Sequence, residues 1–208
     1  MRNLPPTIPS STGHTIRLII PNTYIPASYH PIHLQTTKLI EEHKPDLIVH
    51  VGLAMDRDYY AIEQSAMKDG YHDIPGQDRR VFTRAENKKV FGKAASSLST
   101  SLDLATTVSL WQNACSKIGL KEKGTAKAKE KGKVNKVVDV RMSDDVGTFV
   151  CGFIYYVSLL EMQRRTGRRD VVFLHVPMLR GEEEVGVGVE VLKALVAALV
   201  EGWRGGAL

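Results

Sequence analysis

The chain has 208 residues, 43% hydrophobic and 25% charged, with a formal net charge of +5 and only two cysteines. This length favours a single domain, residues 1–208, with ample apolar content for a buried core. Two cysteines are too few for a disulfide framework, and the sequence shows neither a leading apolar h-region nor an apolar run of membrane-spanning length, so a reducing, cytoplasmic setting away from membranes is expected.

The positive charge suggests a polyanionic partner until it is located. Residues 117–136 hold eight lysines against two glutamates, a larger surplus than that of the whole chain, so the remainder is close to neutral. No aromatic side chain interrupts these lysines. The run therefore reads as a solvated, flexible insertion and no nucleic-acid partner is expected.

Residues 1–15, rich in Pro, Ser and Thr, show no periodicity and read as an extended or disordered lead-in. Ile16 to Ile20 is the first strand candidate. Pro31 suits the first residue of a helix running to about Lys44, because its missing N–H would be unpaired there, and Pro45 stops that helix. Asp46 to Gly52 is a β-branched apolar run ending in glycine, the pattern of a strand covered on both faces. Tyr59 to Met67, with Glu63 near its centre, fits either strand or helix. Asp73-Ile74-Pro75-Gly76 is a turn, and residues 77–101 carry little pattern. From about Asp103 to Ile118, Leu104, Val108, Trp111, Cys115 and Ile118 form one apolar helical stripe, which makes Cys115 a core residue.

Val137 to Val140 is a further strand candidate. Ser143-Asp144-Asp145 and Gly147 then break the chain, and Phe149, Phe153, Ile154, Val157, Leu160 and Met162 recur at helical spacing. Arg164 to Arg169 end that helix with cations and a glycine. Val171 to Val176 is a fully apolar strand except for His175, and the apolar positions from Val185 to Trp203 describe a long closing helix. Strands alternating with helices predict an α/β fold, a three-layer α/β/α sandwich with a mostly parallel twisted sheet. Sites in such folds gather at the carboxyl ends of the strands, near which His175 lies.

Cys151 falls in the first turn of its helix. Unpaired N–H groups and the positive end of the dipole there favour a thiolate, lowering a thiol pKa from about 8.5 into the range of roughly 3.5–7.5, and they are placed to hold an oxyanion. The plain alternative is an inert buried cysteine. His175 read alone is equally a satisfied core histidine, and Glu63 a surface carboxylate. The other histidines, His14, His30, His33, His43, His50 and His72, show no metal-ligand spacing, and no metal or cofactor is expected.

Three stretches taken together resemble pyroglutamyl-peptidase I, a family of cysteine peptidases that remove N-terminal pyroglutamate from peptides. They are Gly147-Thr-Phe-Val-Cys151, Phe173-Leu-His175-Val-Pro177, and Val49-His-Val-Gly52-Leu-Ala followed by Ile62-Glu63. The lysine-rich insertion is similar to that of fungal members. The resemblance implies Cys151 as nucleophile, His175 as general base and acid, and Glu63 as the carboxylate orienting the histidine, with Asp144 or Asp145 as substitutes in that last role. It implies peptides with an N-terminal pyroglutamate as substrates, and Phe149, Val150 and Ile74 as residues lining the lactam pocket.

The chain departs from the family at several points. Ala61, Gln64 and Lys68 flank Glu63 where the family has Ser or Thr, Arg or Lys, and Asn; Leu53 replaces a frequent glutamine, and Gly152 a usual Asn or Asp. Nothing in Met1 to Ile20 matches the family's opening strand and Gly-Phe-x-Pro-Phe loop. The resemblance therefore implies a sheet short of a central strand and a pocket short of one aromatic wall, which Tyr24, Tyr29, Tyr59 or Tyr60 would have to replace. The alternative to an active peptidase is a catalytically weak or silent relative of that family acting as a binding protein.

Overall fold

A computed structural model of the chain describes residues 4–10, 13–120 and 136–205. In order, the elements are β1 (Thr7–Pro9), β2 (Thr15–Arg17), α1 (Tyr29–His43), β3 (Ile48–Leu53), β4 (Tyr60–Glu63), β5 (Ser65–Met67), α2 (Arg84–Phe91), β6 (Ser97–Ser99), α3 (Leu104–Cys115), β7 (Gly119–Leu120), β8 (Lys136–Val137), β9 (Val140–Ser143), α4 (Val150–Thr166), β10 (Val171–Val176) and α5 (Gly181–Gly205).

The central sheet has the order β3-β10-β4-β9. β3 runs parallel to β10 and β4 parallel to β9, while β10 and β4 are antiparallel. Alternation along β10 shows how the layers form. Val171 and Phe173 join a core with α1, α2 and α4, whereas Val172 and Leu174 join a second core with α3 and α5. A strand covered on both faces must be apolar at every position, which is why β10 carries an unbroken apolar run up to His175. The result is the expected three-layer α/β/α sandwich, with a mixed sheet whose pairings are parallel on either side of one antiparallel contact.

Several local expectations need correction. Thr7–Pro9, placed in a disordered lead-in, pairs with Thr15–Arg17, and Ile8 is buried against the α3/α5 core. The strand expected at Ile16 to Ile20 is thus the second arm of a separate hairpin and lies outside the central sheet. The strand expected at Val137 to Val140 is divided: Lys136–Val137 pairs with Gly119–Leu120, and Val140–Ser143 enters the main sheet beside β4. Apart from these flanks and its first residues, the lysine-rich insertion, 121–135, lies outside the described residues. Tyr59 to Met67 resolves into two strands in different sheets, with Glu63 the last residue of β4. The pattern-poor stretch holds α2, started by a capping box in which Thr83 and Glu86 satisfy each other's backbone N–H groups. No gap opens inside the central sheet, because β3 pairs with β10 residue for residue along its whole length.

Alternation along β3 and β4 sets the site's face. Val49, Val51, Tyr60 and Ile62 belong to the α3/α5 core, so His50, Gly52, Ala61 and Glu63 face α4. His50 Nε2 lies 2.7 Å from Ser158 Oγ on α4, and burial lowers the imidazole from 6.5 to about 4. Between those values the unfolded chain holds a proton that the folded chain refuses, so His50 withdraws stability as pH falls from about 6.5 towards 4. The urea midpoint is expected to drop less between pH 7 and pH 5 in His50→Gln than in the parent; equal drops would remove His50 from this account.

Candidate active site

The site forms where β10 passes between β3 and β4. His175 and Gly52 are register partners on β10 and β3, and Ala61 lies opposite His175 on β4. Glu63 is opposite Phe173, which puts it diagonally across from His175 on the same face, within reach of a long side chain. The two meet: His175 Nδ1 is 2.8 Å from Glu63 Oε1, with His175 6% exposed and Glu63 fully buried. An ionised carboxylate can only accept, so Nδ1 carries the proton and Nε2 is left as a lone-pair acceptor.

Cys151 reaches the same spot from the start of α4. A side-chain carbon added at Gly52 would lie 3.2 Å from its sulfur and 2.6 Å from Phe173 Cζ, so the thiol sits over a place where the sheet tolerates only glycine. The loop that leads into α4 is held tightly as well. A carbon added at Gly152 would lie 2.2 Å from the Gly147 carbonyl oxygen, and Gly147 itself has φ 77. Phe149, the residue before the helix, makes no side-chain cap hydrogen bond, so it uses none of the first-turn N–H donors.

The Glu63 carboxylate is compensated on every side. Burial pushes its pKa up, but hydrogen bonds from His175, Ser143 and Arg57 and the charge of His175 outweigh burial and hold it below the ordinary glutamate value. Arg57 Nη1 donates to Oε1 at 2.7 Å and the Asp145 N–H donates to Oε2 at 3.0 Å. Neither aspartate acts as the orienting group: Asp145 serves Glu63 through its backbone, and Asp144 accepts from Ser65 at 2.5 Å.

Cys151 departs from the sequence expectation. Its thiol is pushed up to about 11, first by burial and then by the negative charge of Glu63. Cys115 is fully buried in the α3/α5 core, as its stripe predicted.

Two of the three expected lining residues, Phe149 and Ile74, meet Tyr29. Its ring meets Phe149 edge-on at 6.1 Å between centroids, and its hydroxyl donates to the Ile74 carbonyl at 2.8 Å. Phe149 and Val150 are half-buried and Ile74 is exposed. Of the tyrosines considered as a replacement wall, Tyr24 is 83% exposed, Tyr60 faces the α3/α5 core, and Tyr59 lies against Arg57 and Arg141. Tyr29 touches Phe149 and the Ile74 carbonyl and is fully buried. Among the described residues no group of three or more His, Cys, Asp or Glu side chains is placed to hold a metal ion, and no helix is long and apolar enough to cross a membrane.

No protein-family model matches the chain. Individual proteins do. It is 23% identical over 177 residues to the human pyroglutamyl-peptidase 1-like protein, covering 85% of this chain and 74% of that protein. It is 26% identical over 155 residues to mouse pyroglutamyl-peptidase 1, covering 74% of this chain and 60% of that protein. The chain is similar to the pyroglutamyl-peptidases along most of its length. The fold agrees: the pyrrolidone carboxyl peptidase of Thermococcus litoralis superimposes with a TM-score of 0.63 at 15% identity over 92% of this chain and 84% of that one. A mutant pyrrolidone carboxyl peptidase from Pyrococcus furiosus superimposes with a TM-score of 0.62 at 17% identity, over 88% of this chain and 85% of that one. At the level of the family this relationship is one to peptidases.

Gly152, which stands where pyroglutamyl-peptidases usually carry Asn or Asp, has a local cause in this chain, namely the Gly147 carbonyl packed against its Cα. Gly152→Ala is expected to cost roughly 1–3 kcal/mol in urea unfolding, the range for forcing an extra methyl into a packed site. Alkylation of Cys151 by iodoacetamide should slow in parallel. An unchanged midpoint and rate would show that the loop yields freely.

Proposed function

We propose that the chain is a cysteine exopeptidase that hydrolyses the bond after an N-terminal pyroglutamyl residue. The observation that carries the proposal is the buried Glu63–His175 hydrogen bond, on the one face of the sheet that Cys151 approaches, with Nε2 of the imidazole unoccupied by Glu63. Similarity to pyroglutamyl-peptidases supports the same reading.

The thiol pKa shapes the mechanism. A thiol pushed up to about 11 is not a standing thiolate at neutral pH, so His175 acts as general base and takes the proton as sulfur attacks the pyroglutamyl carbonyl. Glu63 holds the imidazole in the tautomer that can accept, and stabilises the imidazolium once it forms. The carbonyl oxygen becomes an oxyanion facing the uncapped N–H groups at the start of α4. His175 then returns its proton to the leaving amine, the C–N bond breaks, and a thioester remains on Cys151. Water, deprotonated by the same imidazole, cleaves the thioester and releases pyroglutamate and the free thiol. Phe149, Val150 and Ile74 form the apolar lining for the flat, uncharged lactam, with Tyr29 holding Phe149 and the Ile74 carbonyl.

Release of a fluorophore from a pyroglutamyl amide by the 208-residue chain tests the proposal. Cys151→Ala should abolish it, His175→Ala should lower kcat by about 10²–10⁴-fold, and Glu63→Gln should leave a larger remainder. Equal residual rates in all three would overturn the roles. A folded parent without turnover would favour a silent relative that binds without cleaving.

A further inference from the structure

We propose that Arg57 is a positioning residue of this site, holding Glu63 ionised and joining it to the loop that delivers Cys151. The inference rests on the roles proposed above for Cys151, His175 and Glu63.

Arg57 lies in the turn after β3, with its N–H directed at the Ala54 carbonyl, and its side chain is 12% exposed. Its guanidinium spans two segments. Nη1 donates to Glu63 Oε1 at 2.7 Å, on the same oxygen that His175 uses, and Nη2 donates to the Asp145 carbonyl at 2.7 Å. Asp145 in turn donates its N–H to Glu63 Oε2 at 3.0 Å, so Asp145 is held by Arg57 at its carbonyl and by Glu63 at its N–H. That residue is six positions before Cys151 and two before Gly147, whose carbonyl packs against Gly152. The Tyr59 ring, 5.9 Å from the guanidinium carbon, holds it from the side.

The chemistry requires this cation. A fully buried carboxylate without a counter-charge takes up a proton, and a protonated Glu63 would lose the acceptor that fixes the Nδ1–H tautomer. The charge of Glu63 also opposes formation of a thiolate on Cys151. A lysine has a single donor centre and cannot serve two separated oxygens as the guanidinium fork does. Arg57 has no part in binding the lactam, and its effect passes through Glu63.

A double-mutant cycle on Arg57 and Glu63 tests this, read first by iodoacetamide alkylation of Cys151 at pH 7, followed by mass on the Cys151 peptide. That readout needs no substrate, so it judges Arg57 even if the parent cleaves no pyroglutamyl amide. Arg57→Gln is expected to slow alkylation about tenfold or more when Glu63 is present and to have no effect in the Glu63→Gln background, whose own rate is the reference because removing the Glu63 charge also relieves the thiol. Where the amide is turned over, Arg57→Gln should lower kcat with KM changed by less than about threefold, and Arg57→Lys should recover part of the rate. Should Arg57→Gln fail to fold, Arg57→Lys carries the cycle. Additive losses, an unchanged alkylation rate, or a rise in KM at constant kcat would overturn the proposal.

Discussion

The Glu63 carboxylate is the constraint on which the rest of the site depends. A charge removed wholly from water is costly unless donors surround it, and here they come from separate parts of the chain: His175 on β10, Arg57 after β3, and Ser143 and the Asp145 N–H before α4. Satisfying one buried group therefore fixes the relative placement of three strand ends and the loop that starts the Cys151 helix. Loosening any of these segments would leave the carboxylate unpaired, which couples the order of the site to the stability of the fold.

Space is the second constraint. The α4 face of β3 offers Gly52 under the thiol, and the first turn of α4 offers Gly152 beside the Gly147 carbonyl. Both are places where backbone and reacting group come together more closely than a side chain permits. The same closeness works against the thiolate, because burial and the nearby carboxylate raise the thiol. A site built this way keeps its nucleophile protonated until a base removes the proton, which is the division of labour between Cys151 and His175 in the proposed reaction.

Around this centre the aromatic side chains form a support. Tyr29, fully buried, touches Phe149 and holds the Ile74 carbonyl, and Phe153 packs edge-on against both Tyr29 and Tyr71. Phe149 and Val150 are half-buried above these rings and Ile74 is exposed. On the far side of the sheet, α3 and α5 are joined through Trp111, whose indole N–H donates to the Val191 carbonyl, and that layer takes no part in the site.

The sequence by itself determined the layered α/β class, the apolar two-faced strand ending near His175, the helix that opens at Cys151, and the core position of Cys115. These follow from local periodicity and from the residues that break it, which act within a few positions of the chain. It also pointed to Glu63, through the resemblance of three short motifs. Tertiary structure alone decided which of two readings Tyr59 to Met67 takes, because a short apolar run is settled by its neighbours in the sheet. It alone brought Arg57 and Asp145 to the carboxylate, since a lone arginine after a strand carries no signal until its partner 88 positions away is folded against it. It alone reversed the expected thiol shift, because burial and the field of a distant carboxylate have no local signature in the sequence.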